Sequence, residues 1–209
     1  MSAQSIKALF LDIGGVLLTN GWDRHARGRA AQLFNIDAEQ LDERHHLTFD
    51  TYESGKLSLD EYLKRTVFYE ERPFSQAEFS RFIMEQSHPF PDMIDLIRQL
   101  KQTYGLKLLA VNNEGREINE YRIHTFGLHK IFDAFVSSCY VHLRKPDIDI
   151  FRLALDVAQV KPEEAIYVDD RAMFVQEARR LGMHCLHHTG YASTVAAFDA
   201  YGLPIGPNR

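Results

Sequence analysis

From Pro89 to Ala200 the sequence alternates stretches of helical period with short apolar runs, joined by brief turns, and this is the signature of an α/β fold. The pattern predicts helix 91–104, strand 106–111, helix 115–126, strand 133–136, helix 147–158, strand 165–168, helix 171–181, strand 183–187 and a last helix over about 191–200. One more strand, 6–11, stands near the start, where Ala8-Leu9-Phe10-Leu11 carries no charge. Such a run reads as a strand covered on both faces, as in a parallel sheet. The expected fold class is therefore α/β, a doubly wound, Rossmann-like parallel sheet. In open sheets of this kind ligands gather at the carboxyl ends of the strands.

Between the first strand and Pro89 the texture changes to polar segments with helical spacing, from about Trp22 to Gln86. Leu33, Phe34, Ile36 and Leu41, then Leu59, Tyr62, Leu63 and Val67, recur at intervals of three and four and predict about four helices. Breaks fall at Asn35-Ile36-Asp37, Ser54-Gly55-Lys56 and Arg72-Pro73-Phe74-Ser75, and Ser58-Leu59-Asp60-Glu61 is a capping-box signature. The division is then a core of 1–18 plus 89–209 with an inserted α-helical unit over 19–88. The tail Gly202-Leu203-Pro204-Ile205-Gly206-Pro207 reads as an irregular strap.

Composition narrows the class of partner. A net charge of −5 and the absence of any Lys/Arg block argue against a nucleic-acid surface, which needs clustered cations in excess. No stretch approaches the length of a membrane span. Cys139 and Cys185 lie far apart near apolar stretches and read as buried free thiols, and Met1-Ser2-Ala3-Gln4-Ser5 has no signal-peptide pattern. The expected location is the reducing cytoplasm.

Three apolar runs end in polar clusters: Leu11-Asp12, Ala110-Val111-Asn112-Asn113-Glu114, and Ile166-Tyr167-Val168-Asp169-Asp170-Arg171. If the strands are parallel, all three clusters share one edge. Asp169 and Asp170 opposite Asp12 would then gather carboxylates that raise one another's pKa unless a cation intervenes. Oxygen ligands and water describe Mg²⁺ better than Zn²⁺, which favours His and Cys. Each cluster also has a plainer reading. Asp12-Ile13-Gly14-Gly15 is common turn chemistry, Asp169-Asp170 and Asn112-Asn113 could cap helices, and Lys145 before Pro146 could be a surface lysine at a helix start.

Four ordered motifs resemble those of the haloacid dehalogenase superfamily: Phe10-Leu11-Asp12-Ile13-Gly14-Gly15-Val16, Val111-Asn112-Asn113, Lys145-Pro146 and Val168-Asp169-Asp170. Arg171 and Glu177-Ala178-Arg179-Arg180-Leu181-Gly182-Met183 extend the fourth. The inserted helices look like that superfamily's mobile cap, Tyr52-Glu53-Ser54-Gly55-Lys56-Leu57-Ser58 looks like its substrate-facing turn, and the closest likeness is to sugar-phosphate phosphatases of the glucose-1-phosphate phosphatase branch.

The resemblance implies a phosphatase acting on a small-molecule phosphate ester with Mg²⁺ as cofactor. Asp12 would be the nucleophile that forms an aspartyl-phosphate, and Lys145 would neutralise charge on it and on the phosphoryl group. Metal ligands would be Asp12, Asp170, the main-chain carbonyl of Gly14, and Asp169 as a second or outer ligand. Asn112, Asn113, Gly14 and Glu53 would meet phosphate or substrate.

Two positions depart from the pattern. Most phosphatases of the superfamily carry a second Asp where this chain has Gly14, a general acid and base worth about 10²–10⁴-fold. Glu53, His45 and His46 are candidate substitutes, and a sugar 1-phosphate, whose anomeric hydroxyl leaves more easily, would need the acid less. Asn112 stands where Ser or Thr is usual. These departures leave a non-catalytic phosphometabolite-binding protein as an alternative. Metal-free 2-haloacid dehalogenation fits less well, because it has no use for Asp169-Asp170.

Overall fold

A computed structural model describes residues 5–205. Its centre is a five-stranded sheet made of β1 (Ala8–Leu11), β2 (Lys107–Asn112), β3 (Ala134–Ser137), β4 (Ala165–Asp169) and β5 (His184–His187), all parallel, in the order β3-β2-β1-β4-β5. The alternation of side chains along each strand feeds two apolar layers. Leu9, Leu11, Leu108, Ala110, Ile166 and Val168 face α5 (Pro91–Tyr104) and α10 (Tyr191–Ala200). Phe10, Leu109, Val111 and Tyr167 face α8 (Ile148–Ala158) and α9 (Ala172–Arg180). Being covered on both sides is why these strands read as uninterrupted apolar runs.

The inserted segment forms α1 (Arg24–Leu33), α2 (Ala38–Glu53), α3 (Leu59–Thr66) and α4 (Gln76–Glu85). These helices bury their own apolar cluster around Trp22, Leu41, Tyr62, Leu63, Phe79 and Ile83, which also takes in Ile118 from α6 (Arg116–Thr125). The capping box read at Ser58 is present, with Glu61 N–H donating to Ser58 Oγ at 3.2 Å and Ser58 N–H to Glu61 Oε2 at 2.8 Å. Ser75 and Glu78 repeat it at the start of α4.

A four-residue helix, α7 (Ser138–Val141), follows β3 directly and is too short for its period to be read from sequence. Of the expected tail, Leu203 is buried against the sheet and Tyr104 donates to the Pro204 carbonyl, while Gly206 and Pro207 lie outside the described residues, as do 1–4. Cys139 and Cys185 are buried free thiols. Among the described residues no helix is long and apolar enough to cross a membrane.

The strand order reverses direction at β1. The chain moves outward through β2 and β3, then returns to the other side of β1 with β4, so the crevice between β1 and β4 is the topological switch point. Asp12 follows β1 there, and Asp169 ends β4.

Candidate active site

Asp12 continues the pairing of β1 with β4 by one residue, its N–H donating to Val168 O at 2.9 Å, and this sets it beside Asp169. Ile13 N–H donates to Asp12 Oδ1 at 2.8 Å. Lys145, from the loop after α7, reaches between the two acids, with Nζ 3.2 Å from Asp12 Oδ2 and 2.7 Å from Asp169 Oδ2. Its main chain is clamped by Asn113, whose Oδ1 accepts Lys145 N–H at 2.9 Å and whose Nδ2 donates to Lys145 O at 2.8 Å. Asp169 also accepts from the Tyr167 hydroxyl and from Arg171 N–H, so both its oxygens are bonded within the fold.

One oxygen each from Asp12, Asp169 and Asp170 lie within 4.8 Å of one another, and the single ammonium of Lys145 pairs with only two of the three carboxylates, Asp12 and Asp169. Burial pushes the Asp12 carboxyl up to about 7; Lys145 opposes this, and Asp169 and Asp170 add to it. Burial pulls Lys145 down, but Asp12 and Asp169 outweigh it and its pKa is raised. Asp170 Oδ1 is buried without a hydrogen-bond partner. A buried carboxylate oxygen without a donor is costly, and its natural complement here is a cation. The donor set is all oxygen, which suits magnesium. Asp170 offers a free oxygen and Asp169 does not, so the residues fit a metal held mainly by Asp12 and Asp170.

The loop after Asp12 is shaped to admit Asp170. Gly15 has φ +71°, a left-handed conformation, and a Cβ there would lie 2.1 Å from Asp170 Oδ2. Gly15→Ala is expected to displace Asp170 and weaken magnesium dependence by about tenfold or more. Titration of activity against magnesium checks this, and an unchanged midpoint would contradict it.

A cavity of about 420 Å³ opens above Asp12 and is walled on one side by the inserted helices, with Trp22, His45, Phe49 and Tyr52 on the helical side and Asn113, Lys145 and Phe174 on the sheet side. Glu53 lines it, but its carboxylate is bound by Arg144, with Nε at 2.9 Å and Nη2 at 2.6 Å, and its carbonyl accepts from Ser138 Oγ. Glu53 therefore ties the helical unit to the loop that carries Lys145 and is not a free acid. His46 is exposed and hydrogen-bonds the Asp42 carbonyl.

Asn112 requires a correction. It is buried and absent from the cavity wall, with Oδ1 accepting from Ser137 Oγ at 2.7 Å and Nδ2 donating to Asn119 Oδ1 at 3.0 Å. Its amide is engaged in joining β2, β3 and α6, and this internal pairing outcompetes a turn toward phosphate. Asn113, the next residue, faces the cavity instead.

The sequence pattern of the haloacid dehalogenase-like hydrolases matches residues 6–182. The chain belongs to that family. A glyceraldehyde 3-phosphate phosphatase of Methanothermobacter thermautotrophicus is 30% identical over 178 residues, covering 79% of this chain and 77% of the relative. One from Methanopyrus kandleri is 37% identical over 97 residues, 46% of this chain and 41% of the relative. Among solved structures, a family enzyme of Bacteroides thetaiotaomicron in complex with magnesium and inorganic phosphate superposes with a TM-score of 0.72 at 20% identity, covering 87% of this chain and 93% of that one. The L-2-haloacid dehalogenase of Xanthobacter autotrophicus gives 0.62 at 18%, covering 97% and 85%. At these identities the superpositions show the shared fold.

Against the family pattern, Gly14 marks where a second acid is missing, and the structure shows what fills the space. A Cβ on Gly14 would lie 2.9 Å from Asn20 Oδ1, and Asn20 Nδ2 donates to Asp170 Oδ2 at 3.2 Å. The volume that an Asp side chain would enter is taken by an amide that orients Asp170. Asn20 lies in the link to the helical unit, outside any periodic stretch, and nothing in the sequence singles it out.

Proposed function

We propose that the protein is a magnesium-dependent phosphatase that moves the phosphoryl group of a small sugar phosphate to Asp12 and then to water. The observation that carries this reading is the trio Asp12, Asp169 and Asp170, with Lys145 between the first two, at the base of a cavity walled on one side by the helical cap.

An oxygen of Asp12 attacks phosphorus, the bond from phosphorus to the sugar oxygen breaks, and that oxygen takes a proton from water. A second water then attacks the phosphorus of the aspartyl-phosphate, releasing phosphate and restoring Asp12. Lys145 favours the ionised form of Asp12 against the effect of its burial and screens the transferring group. Asp169 receives Lys145, Tyr167 and Arg171 and fixes the lysine, while Asn113 fixes its backbone. Asp12, Asp170 and the Gly14 carbonyl, with Asp169 as a second or outer ligand, would hold magnesium, which when bound would supply charge neutralisation to the phosphoryl oxygens. With Asn20 in place of a carboxylic acid, the site favours leaving groups of low proton affinity. The triose-phosphate relative and the room in the cavity support a sugar phosphate as the substrate.

The test is release of phosphate from sugar 1-phosphates, sugar 6-phosphates, triose phosphates and nucleotides, with magnesium and with chelator. Sugar phosphates should be hydrolysed best, and chelation should lower turnover by about 10²-fold or more. No release from any ester would sink the reading and leave a binding protein. Halide release from a 2-haloacid in chelator would replace it with dehalogenation.

A further inference from the structure

The cavity wall contributed by the helical cap holds a chain of hydrogen bonds that ends on a histidine. Trp22 Nε1–H donates to the Tyr62 hydroxyl at 2.8 Å, and that hydroxyl lies 2.8 Å from His45 Nδ1. An indole has a donor and no acceptor, so Tyr62 oxygen accepts from Trp22, and turning the buried hydroxyl's own proton toward His45 Nδ1 leaves neither group unpaired. Nδ1 of His45 is then an acceptor, and a neutral ring must carry its proton on Nε2. Among the described residues Nε2 has no protein partner, and His45 lines the cavity.

The surroundings keep the ring neutral and still. Phe49 stacks on it, with centroids 5.1 Å apart and planes at 22°, and Tyr62 meets it edge-on. Burial first, then the charges of Arg27 and His46, drive its pKa down to about 3, against a weaker opposing pull from Asp42. The neighbouring cations are already matched, Arg27 to Asp42 at 2.7 Å and Arg144 to Glu53 at 2.6 Å and to Asp50. Around His45 the wall therefore offers aromatic surface and one neutral donor, while the exposed Arg24 of α1 lines the same cavity. At His45 itself that chemistry suits a hydroxyl or carbonyl oxygen of the substrate.

We propose that His45 is a specificity-determining residue, held as its Nε2–H tautomer by Trp22 and Tyr62, that donates to an oxygen of the hydroxyl-bearing leaving group. The inference rests on the phosphatase reading of the site below it.

His45→Phe keeps the ring and its stacking on Phe49 but removes both nitrogens. In magnesium, kcat/KM for the best sugar phosphate should fall about tenfold further than for p-nitrophenyl phosphate, which has no hydroxyl to receive the bond. His45→Gln, which restores an N–H donor at similar reach, should recover part of the difference. In wild-type protein labelled with nitrogen-15 in histidine, NMR should show His45 neutral near pH 6, with Nδ1 bare and Nε2 protonated. Equal losses on both esters, or a protonated Nδ1, would overturn the assignment while leaving the phosphatase intact. A wild-type protein that hydrolyses neither ester would overturn both readings, since no leaving group would remain to be selected.

Discussion

Asp12→Asn should lower turnover by about 10⁴-fold or more, the scale seen when a covalent nucleophile is removed, while the protein folds as before. The amide is nearly the same size as the carboxylate, and Lys145 keeps Asp169 at 2.7 Å. The variant should also be more stable than wild type in chelator at alkaline pH. Asp12 titrates near 7 in the fold against an ordinary 3.8, chiefly through burial, so folding favours its protonated form. That contribution is fully present below the unfolded value and is lost as pH rises through the folded one. Denaturant midpoints of wild type and Asp12→Asn should converge near pH 4 and separate toward pH 8, with wild type the weaker. Wild type equally stable at both ends relative to the variant would show that Asp12 is not the strained charge described above.

Lys145→Met should be the most destabilising single change at the site. The lysine is fully buried between Asp12 and Asp169, and removing one partner of a buried ion pair costs about 3–5 kcal/mol because the remaining charges lose their compensation. In a domain of this size that is a fall in melting temperature on the order of 10 °C. Turnover should fall by about 10²–10³-fold, since the charge that stabilises the transferring phosphoryl group is gone. Magnesium should restore part of the stability and little of the turnover, because a cation can replace the lost charge but not the ammonium hydrogen bond to Asp12. Calorimetric scans with and without magnesium check this. A variant as stable as wild type in chelator would mean that Asp12 and Asp169 do not depend on Lys145.

The sheet could be read from sequence because both of its faces are covered, which makes Ala8-Leu9-Phe10-Leu11 and Ala165-Ile166-Tyr167-Val168 uninterrupted apolar runs. Parallel order then brings their polar ends together, and the structure does bring Asp12, Asp169 and Asp170 to one edge. What could not be read depends on which side chains meet once the chain is folded. Tyr167 looks like an ordinary core residue of β4, yet its hydroxyl serves Asp169 two positions on. Asn20 sits in a linker without period and occupies the space above Gly14. Trp22, Tyr62 and His45 come from different parts of the helical unit, and only folding joins them. Asn112 misleads for the same reason: a polar residue at a strand end points to a ligand until Ser137 of the neighbouring strand and Asn119 of the following helix are seen to bind it. Glu53 reads as a free acid on a turn until Arg144 is placed beside it.

The central claim is that Asp12 accepts the phosphoryl group. Rapid mixing of the protein with magnesium and its best sugar phosphate, acid quench, digestion and mass spectrometry would test it directly. A phosphoryl group should appear on the peptide that contains Asp12, and should be absent when magnesium is chelated and absent in Asp12→Asn. Steady turnover with that peptide unmodified at every quench time, or the phosphoryl group found on another residue, would contradict it.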